Sequence, residues 1–224
     1  MRVKRFRAWR PAGEYVEEVA SVPYDVVDRE QAIALAEGKP NSFLHVVRAE
    51  IDLPEVEDLY ADIVYKTATA NLNRLMNEGI LIREEEGALY LYSQRMEDHI
   101  QYGIVAGCHV EDYEKGDIKI HEKTRRAKEE DRIRYVDSQN ANTGPVFLAY
   151  RDSVVINEQV EATKRTSPLY HFTADDGIEH TVWKFADASP IEAAFSAIPA
   201  TYVADGHHRS ASAAKVGSMR RAAN

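Results

Sequence analysis

Ten residues near the end of the chain, Thr201-Tyr202-Val203-Ala204-Asp205-Gly206-His207-His208-Arg209-Ser210, impose a strand, a turn and a helix in succession. Four β-compatible residues run into Asp205-Gly206, and an Ala/Ser-rich stretch predicts a helix over 206–221. The first turn of that helix then carries His207, His208 and Arg209. A helix N-terminus bears partial positive charge, so each charged basic group placed there costs roughly 0.3–1 kcal/mol. An anion held by the free backbone N–H groups and by Arg209 removes that cost. One reading is thus a phosphate cradle made of Gly206, His207, His208, Arg209 and Ser210. The other is a plain strand-to-helix turn in which Asp205 caps the helix and Gly206 relieves a tight bend. The chain has neither Gly-x-x-x-x-Gly-Lys-Ser/Thr nor Gly-x-Gly-x-x-Gly, so a nucleotide site here is of another type.

The remaining elements alternate irregularly. Residues 1–9 read as a strand, and Pro23 biases Val22 towards extended backbone. Asp28 reads as the N-cap of a helix to about Glu37, stopped by Gly38 and Pro40. Phe43-Leu44-His45-Val46-Val47 reads as a buried strand. Pro54 is expected to open a helix over 55–78 that Gly79 ends. Strands are predicted over 88–96 and 99–111, joined by a Glu97-Asp98 turn, with Cys108 on the apolar face as an inert core thiol. A helix over 124–141, a strand at 146–150 and a helix over 157–166 follow. Then come strands over 168–173 and 178–185, separated by Asp175-Asp176-Gly177, and a helix over 190–197 with Ser189 as its cap. This order is not a regular β-α-β repeat, so the class expected is α+β, in a single region over 1–224. The last helix has no closing strand after it, which reads as the N-terminal part of a longer protein, truncated at Asn224.

Composition removes several function classes. No segment approaches the 18 or so apolar residues of a membrane helix, and the basic N-terminus lacks the apolar stretch of a signal peptide. A single cysteine excludes an intramolecular disulfide, and a cytoplasmic location follows as the expectation. The net charge of −9 argues against a general nucleic-acid binder, which carries a basic excess. Oligomeric state is left open.

Two further runs can carry chemistry. His121-Glu122-Lys123-Thr124 lies where a loop enters a helix; Glu122 offers an acid/base carboxylate, His121 can orient a substrate or proton, and Thr124 can cap the helix. The alternative is a charged loop before a salt-bridged helix. In Pro23-Tyr24-Asp25, a rigid Pro-Tyr pair presents a carboxylate for a metal ion or hydroxyl, against the alternative of an ordinary turn. A protein-built zinc cage is not expected: the adjacent His207 and His208 diverge by about 100° on a helix. Magnesium held through phosphates and one carboxylate, Asp205, is the preferred form.

Together with Ala141-Asn142-Thr143-Gly144-Pro145-Val146-Phe147 and Asp131-Arg132, these runs occur in an order that resembles the bacterial and archaeal family catalogued as domain of unknown function 1015. That family looks like a branch of the ParB/sulfiredoxin-like superfamily, which includes free-serine kinases. The resemblance implies a mixed sheet with flanking helices and nucleotide phosphates at a Gly-x-x-Arg loop, here Gly206-His207-His208-Arg209. His207 stands where sulfiredoxin has its reactive cysteine, and the ParB form with its helix-turn-helix module is absent, so the serine-kinase form is nearest. The function implied is a kinase using magnesium with ATP or ADP, or CTP, to phosphorylate a small hydroxylated metabolite, free serine first among them. Glu122, His121, Asp205 and His207 are its catalytic candidates, Tyr24, Asp25 and Thr124 its substrate contacts, and Asp205 its metal ligand. The alternative is a regulatory module that binds or slowly hydrolyses nucleotide. On this reading Arg209 meets phosphate directly, and Arg209→Ala removes binding while leaving the fold largely intact.

Overall fold

The computed structural model describes residues 1–223 as a mixed α+β chain whose strands form several small sheets. It divides into two compact units, each assembled from three stretches of sequence. One comprises residues 1–13, 83–120 and 148–204; the other comprises 14–82, 121–147 and 205 onward.

The first unit is built on an antiparallel sheet with strands in the order His99–Val105, Tyr90–Met96, Glu179–Lys184 and Tyr170–Thr173. The hairpin turn falls at Glu97-Asp98 as expected, with Glu97 at φ 53° filling the left-handed position that glycine usually takes. Leu91 lies opposite Ile104 on one side and Trp183 on the other, and Leu91 is fully buried. Helices Val154–Lys164 and Ser189–Ser196 pack together and supply Ile156 and Ile191 to this core. Ser189 is not the cap of its helix; it is the first helical residue, and its N–H is bonded by the Asp187 carboxylate at 2.9 Å. The strand expected over 99–111 stops at Val105. Val110–Glu114 is helical, and Cys108 lies exposed in the short strand Gly107–Cys108 instead of in the core. A second sheet sets Thr201–Asp205 between Ile118–Lys119, to which it is parallel, and Phe147–Tyr150.

The second unit is mainly helical. Asp28 caps Arg29–Ala36 through a full capping box, accepting from Gln31 N–H at 2.8 Å while Gln31 accepts from Asp28 N–H at 2.9 Å. Phe43–Val47 is not a strand. Leu44–Val47 forms one helical turn whose Leu44, Val46 and Val47 are all buried, since a short apolar run fits a buried helix as well as a strand. The long helix begins at Asp62, not after Pro54, because two turns closed by Val56 N–H to Leu53 O and Ala61 N–H to Asp58 O occupy the intervening residues. Helix Asp62–Asn77 packs on Leu44–Val47 and on Arg126–Gln139. The last helix, His207–Ala223, packs along Arg126–Gln139, and Arg220 ties their far ends through Asp137 and Asn140. No helix among the described residues is long and apolar enough to cross a membrane.

Candidate functional site

The strand Thr201–Asp205 hands the chain to the last helix through Gly206, at φ +92°. That left-handed conformation favours glycine on its own, and a second constraint acts with it. A Cβ at Gly206 would lie 3.2 Å from Arg209 Nε, and one at Gly144 would lie 3.3 Å from Arg209 Cδ. The two glycines thus leave a slot that the Arg209 side chain fills, 14% exposed. Within it Arg209 donates to the Pro145 carbonyl and to Asp205, each at 2.5 Å, and lies 3.6 Å from the Asp25 carboxylate. Its Nε is buried with no partner among the described residues. Arg209 therefore joins three of the sequence runs: the Asp25 turn, Gly144-Pro145 and its own.

The protein supplies carboxylates of its own beside the basic groups of the helix N-terminus. Arg209 is paired with Asp205 and Asp25 instead of facing an open phosphate position, and Asp205 is neither a side-chain helix cap nor free of a partner. His208 accepts a hydrogen bond at its Nε2 from the Arg125 N–H at 3.0 Å, and its pKa is lowered, first by burial and then by the nearby Lys128. It anchors the preceding loop as a neutral ring. The Ser210 N–H is bonded to the Gly206 carbonyl at 2.8 Å inside the helix, which removes Ser210 from the cradle. The N–H groups of His207, His208 and Arg209 remain the donors that helix geometry leaves without an intrahelical partner.

The other runs arrive as follows. Residues 23–26 close as a turn, Val26 N–H to Pro23 O. The Tyr24 ring is held by Arg132, whose guanidinium lies 4.1 Å from the Tyr24 ring centroid and 4.1 Å from that of Tyr135, while pairing with Asp131 at 2.6 Å. Burial raises the Tyr24 pKa, with Arg132 acting against it. Thr124 does not cap the helix behind it; its hydroxyl donates to Glu129 at 2.6 Å, and it contributes nothing to the pocket wall. Tyr24, Asp25, Glu122, Asp205, Gly206, His207, His208 and Arg209 together line one pocket of about 80 Å³. Folding thus brings parts of three separate sequence runs to one place.

One wall of the pocket has a different character. His207 is 6% exposed and turns its Nδ1 to Glu122, 3.5 Å away, while His121 Nε2 lies 4.0 Å from the other carboxylate oxygen. The His121 and His207 rings meet edge to face with centroids 4.5 Å apart. Their ligating atoms and that of Glu122 all fall within 4.8 Å of one another. Asp205, named from the sequence as the metal ligand, is instead engaged with Arg209. His207 and His208 do diverge as expected: one joins Glu122 and the other faces Arg125.

Sequence reasoning gave no role to Arg132 or to Gly144-Pro145. The signal lay in the runs themselves, since an arginine three helix positions before an aromatic, and a Gly-Pro pair, reveal their partners only when folded. No curated protein and no solved structure matches the chain. The runs that carry the pocket all fall inside one protein-family match over residues 3–224, and the chain belongs to that family, described as proteins of unknown function, DUF1015.

Proposed function

We propose that this chain is a metal- and nucleotide-dependent phosphotransferase, a kinase for a small hydroxylated metabolite with free serine as the leading acceptor, on a ParB/sulfiredoxin-like scaffold. The observation that carries the reading is the convergence of Tyr24-Asp25, Glu122 and Asp205–Arg209 on one polar pocket at the head of a helix. Phosphoryl transfer asks mainly for positioning and charge compensation. The backbone N–H groups of His207, His208 and Arg209 suit phosphate oxygens. Glu122, 65% exposed, is the group best placed to accept the proton of an acceptor hydroxyl while His121 and His207 orient it. The new acceptor O–P bond forms as the terminal P–O bond of the nucleotide breaks, and the hydroxyl proton passes to Glu122.

Charge decides how the phosphates must arrive. Asp25, Glu122 and Asp205 face Arg209 across the pocket, so three carboxylates stand against one guanidinium. With the histidines counted as neutral, a bare phosphate meets repulsion there, whereas a phosphate carried with a divalent cation does not. Magnesium with ATP, ADP or CTP fits that requirement. A volume of about 80 Å³ suits a phosphoryl group and not a whole nucleotide, so base and sugar lie outside the pocket.

The engagement of Arg209 also favours a second reading, a module that binds or slowly hydrolyses nucleotide without a small-molecule acceptor, since the cation that would stabilise a transferring phosphoryl group is already paired. Incubating the protein with magnesium, each nucleotide and a panel of amino acids, followed by mass spectrometry, separates the two. A phosphorylated amino acid supports the kinase; nucleotide bound or hydrolysed with no such product supports the module; nucleotide neither bound nor consumed overturns both.

A further inference from the structure

We infer that His121, Glu122 and His207 form a binding site for a first-row divalent transition metal, at the wall of the same pocket. The sequence pointed away from this, because the adjacent His207 and His208 diverge on a helix. Folding brings in a histidine from 86 positions earlier. Two imidazoles and one carboxylate suit zinc, manganese, iron or cobalt, whereas magnesium and calcium prefer oxygen ligands.

Three observations carry the inference. The first is spacing. Metal–ligand bonds of about 2.0–2.2 Å set neighbouring ligand atoms about 3.4 Å apart in a tetrahedron. His207 Nδ1 lies 3.5 Å from one Glu122 oxygen and His121 Nε2 lies 4.0 Å from the other; with one ligand atom per residue the three fall within 4.8 Å, and rotation of two exposed side chains, 63% and 65% exposed, brings them closer. The second is anchoring. His207 is buried at a helix start, so one ligand is fixed while the other two approach from a loop. Its Nε2 faces the His121 N–H at 3.5 Å, a contact at the limit of hydrogen bonding that holds the ring only weakly against coordination through Nδ1. The third is charge. Asp25 and Asp205 share Arg209, but among the described residues Glu122 has no arginine or lysine within ion-pair distance, only the two histidines. A cation at Glu122 offsets the excess negative charge and replaces the positive charge that Arg209 has committed elsewhere.

The inference rests on the phosphotransfer reading for what the ion does, but not for whether it binds. The test therefore uses metal alone. Untagged protein stripped with chelator is titrated with Co2+, read by visible absorption, and with Zn2+, read by calorimetry, without nucleotide. The expected result is one ion per chain, with His121→Ala and Glu122→Gln each weakening binding more than about tenfold, and His99→Gln, in the other unit, leaving it unchanged. Both tested side chains are exposed, so the variants retain the fold, which circular dichroism verifies. Absence of a cobalt spectrum, or equal affinity in His121→Ala and Glu122→Gln, overturns the site. Failure of the site while magnesium-dependent phosphorylation persists leaves the proposed function standing; tight metal binding with no nucleotide use does the reverse.

Discussion

Two walls of one small pocket solve the same electrostatic problem in opposite ways. On the Arg209 wall the terminal nitrogens of the guanidinium are committed: the side chain is enclosed by two glycines, a carbonyl and two carboxylates, and only its buried Nε has no partner among the described residues. On the Glu122 wall the carboxylate is largely exposed and has only histidines beside it. The comparison separates architecture from chemistry within a single constellation. A buried, ion-paired arginine shapes the turn and keeps the helix N-terminus in place; an exposed carboxylate beside histidines is where a ligand gains most. Arg209 is therefore read as a strut, and the expectation that it could be removed without harm to the fold is reversed.

The largest effect follows from that reversal. Arg209→Ala should remove two charge-assisted hydrogen bonds and leave Asp205 and Asp25 facing each other with no cation between them. Hydrogen bonds to charged groups are worth about 1.5–3 kcal/mol each, reduced here because Asp205 is two-thirds exposed, so a loss of roughly 2–4 kcal/mol is expected in urea unfolding. Arg209→Lys should recover little, since an ammonium cannot reach Pro145 O and Asp205 together in the planar fork that the slot fits. A stability change under about 1 kcal/mol for Arg209→Ala would return Arg209 to the role of a spare phosphate ligand.

The two glycines sharpen the same point at smaller scale. Gly206→Ala meets both a positive φ and a contact with the guanidinium, and should cost roughly 1–3 kcal/mol. Gly144→Ala meets only the flexible Arg209 Cδ at 3.3 Å and should cost less, about 0.5–1 kcal/mol. If combining either with Arg209→Ala gives a simple sum of the single effects, the slot is not a shared contact; a total smaller than the sum is expected.

How much of this was legible beforehand varied with the range of the interaction. Local signals held. The Asp28 capping box, the Glu97-Asp98 turn and the stop at Gly79 depend on residues a few positions apart, and all stand in the structure. The run 43–47 failed because four apolar residues around one histidine carry no clear period, and the burial of Leu44, Val46 and Val47 is met by a helical turn. Pro54 failed because a proline suited to open a helix also suits the turn that precedes one. At the site the residues were legible and their partners were not. Arg209 lies 64 positions from Pro145, and His208 lies 83 from Arg125. The electrostatic argument about the helix N-terminus was sound physics applied to an incomplete list of charges, since the compensating carboxylates could only be placed by folding.

The smallest effect tests that last point through pH. His208 has its pKa lowered in the folded protein, chiefly by burial, with Lys128 adding to it. An unfolded histidine titrates near 6.5, so between that value and the lower folded one the unfolded chain binds more protons. Stability from this group is thus full above about pH 6.5 and is lost as pH falls through the folded pKa, levelling off below it. His208→Gln keeps an acceptor for the Arg125 N–H but does not titrate. The expected outcome is that wild-type stability falls more steeply than that of His208→Gln on going from pH 7.5 to 5, while the two agree more closely at the upper end. If the two profiles run parallel, His208 is not held neutral by its surroundings. If the wild type instead gains stability relative to His208→Gln as pH falls, His208 is a cation that an acidic partner stabilises, and its role as a neutral acceptor for the Arg125 N–H fails.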